Sequence, residues 1–178
     1  DITADNGTLA TMTSSDNITW TGIFTPTANT EGASNTLSLA TSYTDIVGNA
    51  GPAVSTANYE VDTLAPSVNS FTLSDIALKA GDNAMVTLVF SESVASFSSD
   101  ADITVDNGTL ATMTSSDNIT WSGTFTPTTG EEEQSNELSL ATSYTDTAGN
   151  SGPSATTANY EVDTLAPSVS SIVISSAT

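Results

Sequence analysis

The stretch DITVDNGTLATMTSSDNITWSGTFTPT, Asp102 to Thr128, decides the fold. Threonine, serine, β-branched and aromatic residues recur in it with a period of two, the period of a strand, and no window carries apolar residues at helical spacing. Asn107-Gly108 and Asp117-Asn118 interrupt it, and such dipeptides tolerate positive φ and close hairpins. Three strands follow from this stretch, at about Asp102 to Val105, Thr109 to Thr114 and Ile119 to Thr126. In the last, Ile119, Trp121 and Phe125 share parity, which assigns them to one buried face.

The same stretch stands 101 positions earlier as DITADNGTLATMTSSDNITWTGIFTPT, and the echo continues without a gap from Asp1–Ser74 to Asp102–Ser175 with about three residues in four identical. The chain is therefore a piece of a tandem array. Near-identical neighbours point to a job that scales with copy number, such as spacing or multivalent binding, and away from catalysis.

Between the two copies the same reading gives strands at about Ser67 to Ser74 and Ala84 to Phe90, then Asn136 to Tyr144 and Ala155 to Val162 further on. Seven short antiparallel strands in about a hundred residues predict an all-β, immunoglobulin-like β-sandwich, with such domains joined end to end. The hexapeptide Val61-Asp-Thr-Leu-Ala-Pro66 returns as Val162 to Pro167. Proline bars its predecessor from the helical region and cannot donate to a ladder, so the joints fall there. The units expected are 1–61, lacking its first strands, 62–162, complete, and 163–178, the opening of a third. An incomplete unit is not expected to fold normally by itself.

Composition restricts the partners. Twenty-one acidic residues face one lysine, Lys79, and no arginine, for a net charge of −20 and a pI near 4.1. Nucleic acid and anionic membranes need basic residues and are excluded as partners, while cations are favoured. With 37% hydrophobic residues the chain can still bury a core. It has neither cysteine nor histidine, so it lacks disulfides, the commonest zinc ligands and the usual general base. The longest apolar run, Met85 to Phe90, is broken by Thr87 and is too short for direct membrane insertion. This balance fits a secreted bacterial surface protein, and a cytosolic protein of a halophile as well.

Several residues have structural readings. Trp20 and Trp121 belong to the inter-sheet core rather than to a sugar-stacking platform. Tyr43 and Tyr144, beside Thr-Asp, are corner tyrosines bonded to nearby backbone. Asn6, Asn17, Asn107 and Asn118 match the glycosylation acceptor pattern, but turn formation explains them.

Strand direction sorts the loops. If the first strand leaves the linker at Asp62 and the second returns, Glu92 lies at the linker pole. Asp100 and Asp102 open the third strand there, Asp117 sits in a turn there, and the sixth strand ends there in Thr145-Asp146-Thr-Ala-Gly-Asn150. The opposite pole holds the Asp75–Asp82 turn, the Asn107-Gly108 turn and the Glu131–Glu133 loop, and meets Asp163 of the next linker. Carboxylates so gathered repel unless neutralised. Oxygen ligands on flexible loops without His or Cys favour Ca²⁺, with Mg²⁺ second because it demands stricter geometry. The candidate ligands are Asp62, Glu92, Asp100, Asp102, Asp146 and Asn150, with Asp45 and Asn49 in the first copy and Asp163 at the next joint. A solvated acidic surface with local turn roles is the plainer alternative.

The ordered series Val61-Asp-Thr-Leu-Ala-Pro, Leu78-Lys-Ala-Gly-Asp82, Val86-Thr-Leu-Val-Phe-Ser-Glu92, Ile103-Thr-Val-Asp-Asn-Gly-Thr-Leu110, the Trp121 strand and Tyr144-Thr-Asp-Thr-Ala-Gly-Asn150 resembles the bacterial Ig-like repeats of giant RTX-type biofilm adhesins, exported by type I secretion. The resemblance covers the whole chain. It implies a string of extender domains on the cell surface, monomeric and partnered by its own neighbouring repeats, that holds a ligand-binding tip away from the cell. It also implies Ca²⁺ at the domain junctions, where Asp62, Glu92, Asp146 and Asn150 match the family's acidic pattern. Ser93 departs from it, since such repeats often carry proline after the Ser-Glu pair. The runner-up function is a repeated ligand- or carbohydrate-binding module acting by avidity. A glycosidase-like pairing of Asp100 with Asp102 fails, because alternating residues on one short strand make no cleft.

Overall fold

The computed structural model describes residues 1–175. It divides into two compact units, Asp1–Ala65 and a second from Pro66 onward.

The first unit carries β1 (Ile2–Ala4), β2 (Gly7–Leu9), β3 (Phe24–Pro26), β4 (Glu31–Asn35), β5 (Leu37–Leu39), β6 (Val54–Ser55) and β7 (Tyr59–Asp62). They pair antiparallel in the orders β1-β5-β6, β2-β3 and β4-β7. Trp20, expected in the inter-sheet core, is instead 52% exposed, and Ile23 beside it is 75% exposed.

The second unit contains β8 (Val68–Leu73), β9 (Ala77–Lys79), β10 (Ala84–Phe90), β11 (Val94–Ala95), the single helical turn α1 (Ser99–Asp102), β12 (Ile103–Val105), β13 (Gly108–Leu110), β14 (Thr120–Pro127), β15 (Glu132–Asn136), β16 (Leu138–Leu140), β17 (Thr145–Asp146), β18 (Ala155–Thr156) and β19 (Tyr160–Asp163). One layer is the antiparallel sheet β13-β14-β10-β8. The other is built from β12-β16-β18 and β15-β19-β9, with β11-β17 at one end. This is the immunoglobulin-like β-sandwich expected.

Alternation explains the core. Ala84, Val86, Leu88 and Phe90 of β10 point inward and are fully buried, as is Phe125 of β14. They meet Leu138, Leu140, Tyr160 and Val162 from the opposite layer. The ring of Phe125 stands edge-on to that of Tyr160 at 5.1 Å, and Phe90 lies 4.9 Å from Tyr144. Trp121 packs edge-on against Phe97 at 4.9 Å, so it belongs to the core margin as its parity requires. Both corner tyrosines donate to backbone: Tyr144 to the carbonyl of Pro153 at 2.8 Å and Tyr43 to that of Pro52 at 3.1 Å. Asn107 and Asn118 adopt φ of 45° and 58°, the turn conformation expected of them.

The strand boundaries differ from the sequence expectation in several places. The Asp75–Asp82 turn contains β9, which pairs parallel with β19. The Glu131–Glu133 loop leads into β15, an edge strand on β19 with an irregularity between Glu133 and Asn136. The strand expected over Asn136–Tyr144 is confined to Leu138–Leu140, and that over Ala155–Val162 splits into β18 and β19. The third strand begins at Ile103 because Ser99–Asp102 forms α1. Residues 164–175 form no strand.

Candidate metal centre

The register fixes which loops share an end of the second unit. Phe90 pairs with Val68, and Val89 with both Ser70 and Thr120, so the start of β8, the end of β10 and the start of β14 lie together. Ser67 N donates to Ser91 Oγ and Ser91 N to the Ser67 carbonyl, each at 2.8 Å. These bonds hold the entry of the unit beside Glu92. At the same end β17 pairs with β11, matching Asp146 with Val94.

Asp146 is 1% exposed. Its carboxylate organises the loop that follows: Oδ1 accepts the N–H of Gly149 at 2.7 Å and of Asn150 at 2.9 Å, while Oδ2 accepts the Asn150 side-chain amide at 2.8 Å. Gly149 holds φ at 98°, a conformation that favours glycine and turns the chain back so that Asp146 N can reach the Asn150 carbonyl at 3.0 Å. Burial by itself would raise the Asp146 carboxyl. The donors of Asn150, Gly149 and Ala148 outweigh it and hold the group below the ordinary carboxylate range. Asp146 therefore stays ionised although buried.

Half-buried Glu92 brings a carboxylate oxygen within 4.8 Å of an Asp146 oxygen. Oxygens on opposite sides of a calcium ion, each about 2.3–2.6 Å from it, stand roughly 5 Å apart. The hard oxygen donors of Glu92 and Asp146 thus fit Ca²⁺ in chemistry and in span.

The other candidates are placed differently. Asp102, 5% exposed, accepts Ser98 N at 2.8 Å and the hydroxyl of Ser143, so its carboxylate anchors α1 to the end of the sixth-strand segment. Asp100 accepts Thr112 Oγ1 at 3.0 Å. Among the described residues neither they nor Asp163 join a group of acidic side chains close enough to share an ion. Asp163 ends β19 opposite Glu132 and Lys79. Asp117 is a turn anchor, accepting the N–H groups of Ile119 and Thr120 at 2.9 Å, and those bonds lower its pKa. In the first unit Asp45 and Asn49 repeat the Asp146–Asn150 loop: Asp45 Oδ1 accepts Asn49 N at 2.9 Å and Oδ2 accepts Asn49 Nδ2 at 2.8 Å. Asp62 ends β7, and its Oδ1 accepts Leu64 N at 3.2 Å.

A feature the sequence reading missed is a buried amide pair. Asn136, 1% exposed, donates to the carbonyls of Glu133 and Tyr160 and accepts the Asn107 amide at 2.7 Å. It was hidden because nothing local to Asn136 announces a partner 29 positions away.

No helix among the described residues is long and apolar enough to cross a membrane. Neither the curated proteins nor the solved structures give a match to the chain. The family described as bacterial Ig-like domain matches residues 1–61 and again 62–162. Domains of this family are structural rather than catalytic and typically occur in surface or extracellular proteins. With the sandwich, the corner tyrosines and the family match on almost the whole length, the chain belongs to the bacterial Ig-like domain family.

Proposed function

We propose that the chain is a stretch of the extender stalk of a large bacterial surface adhesin, in which Ca²⁺ at the joints stiffens the string and so presents a distal ligand-binding tip for adhesion and biofilm formation. The observation that carries this reading is the pairing of Glu92 with ionised, buried Asp146 at the end where the repeat is entered. Asp62 stands four residues before Pro66, and an extended chain advances at most about 3.6 Å per residue, so its Cα lies within about 14 Å of Pro66. Asp62 is the carboxylate that the linker would contribute to the ion. Asn150 can add a side-chain oxygen once its amide bond to Asp146 rearranges. Bound Ca²⁺ would neutralise the gathered carboxylates.

The residues present do the rest. Gly149 and Asn150 hold Asp146 in place, the Ser67–Ser91 bonds hold Glu92 beside the unit's entry, and a folded joint alone offers all the ligands together. An ion that binds only that state stabilises it by linkage. In a tandem array of the repeat, EDTA should lower the melting temperature and broaden the radius-of-gyration distribution in small-angle scattering, with Ca²⁺ restoring both. Identical melting and scattering in EDTA and Ca²⁺ would sink the proposal.

A further inference from the structure

Each copy of the repeat carries an Asn-Gly step, Asn6-Gly7 and Asn107-Gly108, and the fold demands both residues of it. Asn107 turns the chain at a φ of 45° and donates its side-chain amide to Asn136. Gly108 lies under the Phe125 ring, where an added Cβ would fall 2.2 Å from the ring and 2.9 Å from the Thr126 carbonyl oxygen. Asn6 and Gly7 repeat this, with a φ of 48°, a bond to Asn35 and a 2.2 Å approach to the Phe24 ring. Neither residue can change without loss of turn, amide bond or core packing, so the repeat keeps a chemically labile dipeptide.

The ladder leaves the nitrogen of Gly108 unused. Thr128 N donates to the Asn107 carbonyl and Ala111 N to that of Thr124, so the bonded pairs of β13 with β14 fall on Asn107, Thr109 and Ala111. Gly108 stands between them, opposite Pro127, and its N–H points away from β14 at the edge of the sheet. The other turn asparagines at positive φ are Asn17, Asn29 and Asn118. They are followed by Ile18, Thr30 and Ile119, whose β-branched side chains crowd the backbone nitrogen.

We infer that Asn107-Gly108 and Asn6-Gly7 are sites of spontaneous deamidation, held in check by the amide bonds to Asn136 and Asn35. Gly108 N attacks Cγ of Asn107. The N–Cγ bond forms, the Cγ–Nδ2 bond breaks, and Nδ2 leaves as ammonia with the Gly108 proton. Water then opens the cyclic imide at either carbonyl, giving aspartate or an isoaspartate that lengthens the main chain by a methylene. In the folded repeat the bond to Asn136 ties the leaving nitrogen to β15, so the carboxamide turns onto Gly108 N only once that bond opens. β15 is an edge strand with an irregular register, the kind of element that opens locally. The product cannot remake the bond, because aspartate presents oxygen to Asn136 Oδ1, which the bonds to Glu133 and Tyr160 hold in place. Each event is irreversible, adds a negative charge and unties the edge of one repeat.

The test is peptide mapping by mass spectrometry of the folded 178-residue chain, aged at mildly alkaline pH below the range of tyrosine ionisation, with isoaspartate read by enzymatic methylation. The mass gain of an NH₂-to-OH exchange should collect at Asn6 and Asn107, not at Asn17, Asn29 or Asn118, and should rise with pH. Asn136→Ala should speed Asn107 by roughly tenfold, the worth of one hydrogen bond, and leave Asn6 unchanged. Gly152→Ala loosens the same unit at Tyr144 without touching the amide pair, and should raise the Asn107 rate far less. The inference is overturned if the Asn-Gly sites age no faster than Asn118, if Asn136→Ala leaves the Asn107 rate unchanged, or if Gly152→Ala raises it as much. No ion takes part in this chemistry, so its failure leaves the stalk reading standing.

Discussion

The side-chain amide of Asn107 donates to Oδ1 of Asn136 at 2.7 Å, and Asn136 uses both of its own hydrogens on the carbonyls of Glu133 and Tyr160. The bonding fixes each amide's orientation: position 107 must donate and position 136 must do both. The first unit repeats the arrangement, with Asn6 donating to Asn35 at 2.6 Å and Asn35 to the carbonyls of Gly32 and Tyr59. The pair ties the β12–β13 turn to the irregular edge where β15 leaves β19. Asn136→Ala leaves the carbonyls of Glu133 and Tyr160 and the Asn107 amide without this partner, and the cost should be about 3 kcal/mol. Asn107→Asp keeps the shape but turns an oxygen toward an oxygen, and should cost at least as much as a lost bond, about 1 kcal/mol. Urea unfolding of the whole chain measures both. A loss below experimental error for Asn136→Ala would show that the network does not hold that edge.

How much of this was legible in the sequence follows from what each element needs. The strands Ala84–Phe90 and Thr120–Pro127 announce themselves because one face is buried and the other wet, which writes a period of two into the residues. Glu132–Asn136 writes nothing of the kind. It is an edge strand held by backbone bonds to β19, and of its five residues only Asn136 is buried. The helical turn Ser99–Asp102 is equally silent, since one turn has no periodicity to show. Its formation is why Asp100 and Asp102 serve Thr112, Ser98 and Ser143. Asp146 was legible because Asp-x-x-Gly-Asn is a local device whose glycine and carboxylate close one loop.

Two glycines near that loop should respond to alanine for different reasons. At Gly152 an added Cβ would fall 2.2 Å from the ring of Tyr144, inside van der Waals contact. Gly152→Ala must push that ring off the core and break the bond to Pro153, which should cost about 3 kcal/mol. At Gly149 nothing lies within 4 Å of the added atom, and the penalty is the φ of 98°. Gly149→Ala should cost about 1 kcal/mol. Thermal unfolding of the two variants orders them, and the reverse order would remove the ring contact as the reason for Gly152.

Alkali should unfold the complete repeat before it would a fold without buried phenols. Burial pushes the Tyr144 hydroxyl up to about 12 from an ordinary 10.0. Burial, then the charge of Asp106, push Tyr160 up as well. An unfolded tyrosine releases its proton near 10.0, while the folded one keeps it. Folded protein thus binds more protons above that point, and stability falls as pH rises. The Tyr144 contribution is fully present below pH 10 and is lost through about 12, on the order of 2 kcal/mol. The urea midpoint should decline across that window, and less steeply in Tyr144→Phe. A flat midpoint would contradict the burial of both phenols.

Removal of calcium gives the site-specific test of the joint. At a hundredfold excess over Kd, an ion bound only to the folded joint contributes about 2.7 kcal/mol. In a domain of about a hundred residues, each kcal/mol shifts the melting temperature by roughly 4–8 °C, so the Ca²⁺-dependent increment should be on the order of 10–20 °C. Asp146→Asn removes one negative ligand and should abolish the increment. Glu92→Gln should do the same while sparing the loop, because the Asn150 and Gly149 bonds run to Asp146. Asp117→Asn is the control: its carboxylate serves the Ile119 and Thr120 amides, so the variant should melt lower by the same amount with and without Ca²⁺. If Asp117→Asn lost the increment and Glu92→Gln kept it, the ion would belong to the turn and not to the joint, and the stalk would have to be stiffened by some other contact.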